Sequence, residues 1–411
     1  MHHRVLLLTI LLATLPIPSS VAQAIDDAVP LAPIESPPPP PEILGPEQSP
    51  SDHSPLEPED AVLALGELRG AVRAAPGNAG DRLKLAYALY RIGDLDAAIE
   101  ECRIAIKLQP NDAKAHLQLG VILTAKQDWR AAASVLHEAV RLDPSLPHAH
   151  YSLGSVHYSL GNLKAAIQSY RQALELQPYF PDARYRLALL LKLSNHEQEA
   201  AQLMEEAAIG GVPQAQFFLG NAYKNGQGVE KDLGQAIFWW AKAIENGYQP
   251  AADSLSKLRR QALSPGQPER KRDEVLDAFQ RYRDKLWDEF PDYPRNDGSE
   301  TLGTRLLNNN RSDYAISTLL KECYALSEVA QSELGKLYET GLGQYLPPFD
   351  KKILACFETT AAEGFLPAKK SLARIYGKGL GIQPDIQKAK TMTKGMSKQE
   401  AKALLDTLGV Q

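Results

Sequence analysis

Residues 110–144 read PNDAKAHLQLGVILTAKQDWRAAASVLHEAVRLDP and residues 144–178 read PSLPHAHYSLGSVHYSLGNLKAAIQSYRQALELQP, one pattern laid down twice between prolines. The proline itself recurs at Pro76, Pro110, Pro144 and Pro178, at a constant spacing of 34 residues. Inside that frame Leu85, Leu119, Leu153 and Leu187 fall in register, as do Ala98, Ala132, Ala166 and Ala200, and Ala105, Ala139, Ala173 and Ala207. A fixed period of this length marks stacked supersecondary units, none of which buries its apolar face alone. Small residues stand where helices must approach: Gly120 and Gly154 follow the register leucine, with Ala86 and Ala188 at the same place in the flanking units.

Each unit divides into two helices. The first is predicted to end near Gly93, Gln127, Gly161 and Asn195, and the second at the repeat proline, which cannot continue a helix. Over residues 76 to about 210 the spacing and residue types resemble the tetratricopeptide family, giving repeats at about 77–110, 111–144, 145–178 and 179–210. Ala64, Leu68 and Ala71 stand at second-helix spacings, so residues 59–75 are expected to cap the stack and extend the block to 59–210.

Beyond Gly211 the punctuation changes. The run Ala215 to Gly220, then Tyr223, Gly226, Gly228, Asp232, Ala236, Trp239, Trp240, Ala243 and Gly247, resembles the Sel-one-like repeat over region 211–263. The pattern returns around Leu334, Gly335, Tyr338, Gly341 and Gly343, and again around Leu372, Tyr376, Gly379 and Gly381. Three Gly-x-Gly turns at matching places imply a link that needs positive φ or close backbone approach. A phosphate loop is excluded, because no strand precedes these turns and no Lys-Ser or Lys-Thr follows. The second copy carries extra residues including Pro347 and Pro348, so its turn departs from the pattern. Residues 264–300 interrupt the array with a linker and a helix whose Val275, Phe279, Tyr282, Leu286 and Phe290 form one apolar stripe for the core. Degenerate and Sel-one-like repeats resume over 301–411.

The expected fold is all-α: an α-solenoid of stacked helix-turn-helix repeats behind a disordered proline-rich N-terminal segment. Residues 1–24 have the form of a signal peptide, an apolar run after Arg4 ending at Ala22-Gln23-Ala24, with cleavage expected after Ala24. Residues 25–58, with prolines from Pro37 to Pro41, lack hydrophobic periodicity and read as an extended tether. No cysteine near the cleavage site offers a lipid-attachment point and no later segment is apolar enough to span a bilayer, so the expected location is periplasmic or secreted. A net charge of −5 shared between both signs argues against a nucleic-acid partner, whose phosphates select a basic face.

No catalytic apparatus is legible: neither a Gly-x-Ser-x-Gly elbow nor a His-Glu-x-x-His pair occurs. No cofactor or metal is expected. His116 and His150 share a repeat position with His148 and His157 nearby, but His150 and His157 lie about 10 Å apart along a helix, too far for one zinc ion. Cys102 stands where neighbouring repeats carry Leu136, Tyr170 and Met204, which predicts a buried thiol. Cys323 and Cys356 lie about one repeat apart, and the sequence leaves their pairing open. Some cysteine-rich Sel-one-like relatives are associated with β-lactam hydrolysis, but their regular one-bridge-per-repeat pattern is absent here.

The resemblance implies that the first helices line a concave, protein-binding surface. Its expected residues are Leu83, Tyr87, Tyr90, Arg91, Lys114, Leu117, Thr124, Tyr151, Ser155, Tyr158, Tyr185 and Lys192. Tyrosine suits such a surface because it buries area while keeping a hydrogen-bonding end. Leu83 and Leu117 replace polar positions of family members that grip a C-terminal carboxylate, which argues against that specialised use. The function expected is an exported scaffold or adaptor for other proteins or peptides of the cell envelope, with an envelope enzyme or enzyme activator as the competing class. Oligomeric state is not legible in the sequence.

Overall fold

The computed structural model describes residues 58–409 except 265 and 294–299, with the side chains of 58–64 and 197 left aside. The expected signal peptide, its cleavage at Ala24 and the tether up to residue 57 lie outside the described residues. Pro58, assigned above to the tether, instead opens the first helix, α1 (Pro58–Ala74). All the regular structure described is helical apart from one isolated bridge between Leu342 and Leu346. The helices fall into two compact units that divide between Tyr179 and Phe180. The two helices of the expected fourth repeat, Pro181–Leu193 and Glu197–Ile209, fall in the second unit.

Unit 1 contains α1 followed by three helix pairs: α2 (Ala79–Arg91) with α3 (Leu95–Leu108), α4 (Ala113–Ala125) with α5 (Trp129–Leu142), and α6 (Pro147–Ser159) with α7 (Leu163–Leu176). Second helices stop two residues before each repeat proline, since the residue preceding proline is pushed out of the helical region. First helices stop just before Gly93, Gln127 and Gly161, all at positive φ (85°, 64° and 79°), where glycine is favoured and glutamine is strained. Starts are equally local: the side chains of Asn78, Asp94, Asp112 and Asp128 accept first-turn N–H groups, and Pro147 opens α6 in place of such a cap. In the cap helix Leu65 and Val72 are buried, with Leu68 against the same core, a register shifted by one residue from Ala71.

The glycines after the register leucine set how closely the helices of a pair approach. A Cβ added at Gly120 would stand 2.5 Å from Leu136 Cδ2, and one at Gly154 would stand 2.7 Å from Tyr170 Cε1. Where Ala86 replaces glycine, the residue in register with Leu136 and Tyr170 is the smaller Cys102, and both Ala86 and Cys102 are fully buried. Burial also pushes the Cys102 thiol up to about 12, so it is packing material rather than a nucleophile.

Unit 2 begins with α8 (Pro181–Leu193) and α9 (Glu197–Ile209), then α10 (Pro213–Asn225) and α11 (Leu233–Glu245), α12 (Gln249–Leu263) and α13 (Glu269–Leu286). It continues through α14 (Leu302–Asn308), α15 (Ser312–Tyr324), α16 (Glu328–Thr340), α17 (Lys351–Ala362), α18 (Leu366–Lys378), α19 (Ile386–Met392) and α20 (Lys398–Thr407). The helix between the two repeat regions joins the core as its apolar stripe predicts: α13 packs on α11 and α12 and buries Val275, Phe279, Tyr282 and Leu286, while Phe290 follows the helix end and is half-buried. The three Gly-x-Gly turns hold positive φ at both glycines of each pair, from Gly226 and Gly228 to Gly379 and Gly381. In the longer second turn, Gly341 is irreplaceable because an added Cβ would lie 2.8 Å from the Leu346 carbonyl oxygen.

Candidate functional site

In unit 1 each second helix packs on its own first helix, α1, α3 and α5 also pack on the first helix that follows, and the first helices α2, α4 and α6 touch one another in turn. Their side is therefore the tighter one, and it forms a continuous face. A buried bond locks it: Gln118 Nε2 donates to the Leu83 carbonyl oxygen at 2.7 Å, joining α4 to α2.

Five of the residues expected on this face are interior. Leu83, Leu117, Thr124, Tyr151 and Ser155 are at most 5% exposed. Leu83 and Leu117 belong to the apolar core, while the Thr124 hydroxyl donates to the Gly120 carbonyl at 2.8 Å. Ser155 Oγ lies 3.0 Å from the Tyr170 hydroxyl, and the Tyr151 ring is tilted against the Tyr170 ring at 5.6 Å between centroids. Helical periodicity identified the side of the helix, but the paired second helix and the neighbouring repeat cover its flanks.

What unit 1 leaves accessible is Tyr87, Tyr90 and Tyr158, half-buried, with Arg91 and Lys114 exposed. Arg91 Nη1 donates to the Tyr87 hydroxyl at 3.2 Å, and the guanidinium carbon lies 5.9 Å from the ring centroid, so the pair presents one cation on an aromatic base. Burial, with Tyr87 adding to it, holds the Tyr90 hydroxyl above the ordinary tyrosine range. The three first helices carry Arg82, Lys84, Arg91 and Lys114 against a single carboxylate, Asp81. Arg82 is turned to Glu101 of α3 at 2.7 Å, and Lys84 lies 3.7 Å from Asp81 with about half its side chain exposed. The result is a positively biased tyrosine surface. In unit 2, Tyr185 is half-buried and Lys192 exposed, the Lys192 ammonium standing 4.1 Å from the Phe218 ring centroid.

The histidines are engaged locally. His116 Nδ1 is 3.0 Å from the Asp112 carbonyl oxygen, and His150 Nε2 is 3.0 Å from that of Pro144. His157 meets His137, with ring centroids 5.7 Å apart, a neighbour that sequence spacing did not single out because it comes from the preceding second helix. Burial first, and His137 second, hold the His157 imidazole below the ordinary histidine range. Among the described residues no three His, Cys, Asp or Glu side chains are grouped to hold a metal ion.

Unit 2 contains polar structure that the sequence reading missed. Arg259 of α12 and Glu363, just after α17, form a buried two-pronged ion pair, with Nη2 to Oε1 at 2.9 Å and a second contact from Nε to Oε2. Arg259 Nη1 also donates to the Tyr324 carbonyl at 3.3 Å. Cys323 of α15 and Cys356 of α17 are joined by a disulfide. Next to that bond in sequence, Glu322 is 1% exposed and accepts from the Gly303 N–H at 3.3 Å. No local signal could have found Arg259 and Glu363, which lie on either side of the segment taken as an interruption.

Family comparisons agree with this organisation. The tetratricopeptide repeat model matches residues 59–113, 83–147 and 117–181, and the Sel1 repeat model matches 213–248, 329–352 and 368–391. The chain therefore carries tetratricopeptide repeats over residues 59–181 and Sel1 repeats in its C-terminal half. A curated relative, the DAP3-binding cell death enhancer 1 of Rattus norvegicus, is 37% identical over 62 residues, which is 15% of this chain and 12% of that protein's length. Among solved structures, MamA is 26% identical with a TM-score of 0.34, covering 39% of this chain and 93% of its own. YrrB, described as a TPR protein with an unusual peptide-binding site, is 21% identical with a TM-score of 0.35, covering 46% of this chain and 98% of its own. No helix among the described residues is long and apolar enough to cross a membrane.

Proposed function

We propose that the protein is an exported scaffold of the cell envelope that holds an extended or helical segment of another protein on the first-helix face of unit 1, without chemistry of its own. The observation that carries this reading is the continuous face of α2, α4 and α6, on which Tyr87 and Tyr158 stand with Arg91 and Lys114 at the surface. Tyrosines supply contact area at low entropic cost, and the surrounding cations select acidic segments and speed their encounter. Export is supported by the signal-like residues 1–24 and by the Cys323–Cys356 disulfide, a bond that persists in oxidising compartments and is rare in reducing ones. The test is capture of envelope proteins by the purified chain, repeated with Tyr87→Ala, Lys114→Glu and Tyr158→Ala combined. These positions are at least partly exposed, so the triple variant should fold with an unchanged helical spectrum and lose its partners. Undiminished capture would remove this face from the function, and turnover of a cell-wall substrate by the purified chain would favour an enzyme.

A further inference from the structure

We infer that in the free protein the first-helix face of unit 1 is occupied by the chain's own residues 36–57, which a partner must displace. The inference rests on the reading that this face takes peptides, and goes further by naming its resident occupant. Residues 36–57 read SPPPPPEILGPEQSPSDHSPLE: proline-rich, with Ile43, Leu44 and Leu56 among the prolines, four carboxylates at Glu42, Glu47, Asp52 and Glu57, and no lysine or arginine. The face is the chemical complement. Lys84, Arg91 and Lys114 are exposed beside half-buried Tyr87 and Tyr158, and Asp81 is the one carboxylate on the three helices. Proline rings pack on tyrosine faces in a preformed extended helix, and a proline-rich backbone presents few N–H groups needing partners. Carboxylates five residues apart can then meet cations spread over adjacent helices.

The charge of the whole molecule is divided the same way. Residues 25–60 hold nine carboxylates and neither lysine nor arginine, within a chain whose net charge is −5, so the remainder is net positive. Geometry permits the contact. The segment ends at residue 57, directly before α1, and α1 packs on α2. An extended run of 22 residues reaches roughly 70 Å at about 3.1 Å per residue. Three adjacent first helices at about 8–10 Å spacing span roughly 20–30 Å. A short tether of this kind gives an effective concentration in the millimolar range, enough to fill a site of modest affinity.

The test uses the full chain and a fluorescent synthetic peptide with the sequence of residues 36–57. In a variant of the full chain carrying Glu42→Gln, Glu47→Gln, Asp52→Asn and Glu57→Gln, the peptide should bind about 10- to 100-fold more tightly than to the parent, because the tethered competitor is weakened. Adding Lys84→Glu and Lys114→Glu to that variant should abolish binding, and raising the salt concentration should weaken it. Equal binding to parent and variant would overturn self-occupancy while leaving the face as a peptide site. No binding to either chain would overturn both readings. A photo-crosslinker at position 47 of the otherwise native chain should attach to α2 or α4 of the same molecule at every dilution. Attachment only between chains, in a mixture of two isotopically labelled forms, would overturn the intramolecular arrangement in favour of a second copy.

Discussion

At Gly154 the distance between paired helices is decided by one missing carbon, since a Cβ there would fall 2.7 Å from a Tyr170 ring atom. The same position elsewhere shows complementary choices: glycine faces Leu136, Tyr170, Trp240 and Leu319, while alanine at residue 86 stands in register with small Cys102. Gly335 is different, because an added Cβ meets nothing nearer than Ser371 Oγ at 4.0 Å. Gly154→Ala should therefore destabilise the fold by about 1–3 kcal/mol, as overpacking does. Gly335→Ala should instead stabilise it by up to about 1 kcal/mol, because helical alanine replaces helical glycine. Denaturant unfolding of the two variants beside the parent checks both signs, and a shared direction would contradict the packing argument.

Among the elements, α14 is held at its start by a buried carboxylate. Glu322 of α15 accepts from the Gly303 N–H, and burial raises its pKa from 4.5 to about 7 despite those bonds and the nearby Arg283. The folded protein therefore holds this proton more tightly than the unfolded chain does. The resulting stability is fully present below about pH 4.5 and is lost as pH rises through about 7. Melting temperatures measured from pH 4 to 8 should show the parent losing stability relative to Glu322→Gln over that window; parallel curves would contradict a raised carboxyl. Elements α12 and α17 illustrate the other use of buried charge. Removing one partner of a pair such as Arg259 and Glu363 strands the other in the interior, at a typical cost of about 3–5 kcal/mol.

On the scale of the whole molecule, the two units differ in how they are fastened. Unit 1 relies on apolar packing with one thiol, Cys102, buried in it. Unit 2 adds a covalent tie between residues separated by 33 positions, for which loop-closure entropy gives roughly 3–4 kcal/mol. Reduction should accordingly lower the stability of residues 180–411 and leave that of residues 58–179 unchanged. Hydrogen exchange with and without reductant would resolve the two, and equal loss in both units would contradict the assignment.

The repeat architecture was legible because a period of 34 residues, a proline at each boundary and a small residue at each close contact are all local consequences of stacking identical units. The turn glycines were legible too, since positive φ excludes most other residues. Two things were decided by tertiary structure: which groove candidates are interior, and that Arg259 meets Glu363. Helical periodicity fixes the direction in which Tyr151 and Ser155 point along α6, but whether that direction is solvent depends on the paired helix α7, whose Tyr170 meets both. Arg259 and Glu363 find each other because intervening helices fold back between them, a relation carried by three-dimensional packing and absent from any window of the chain.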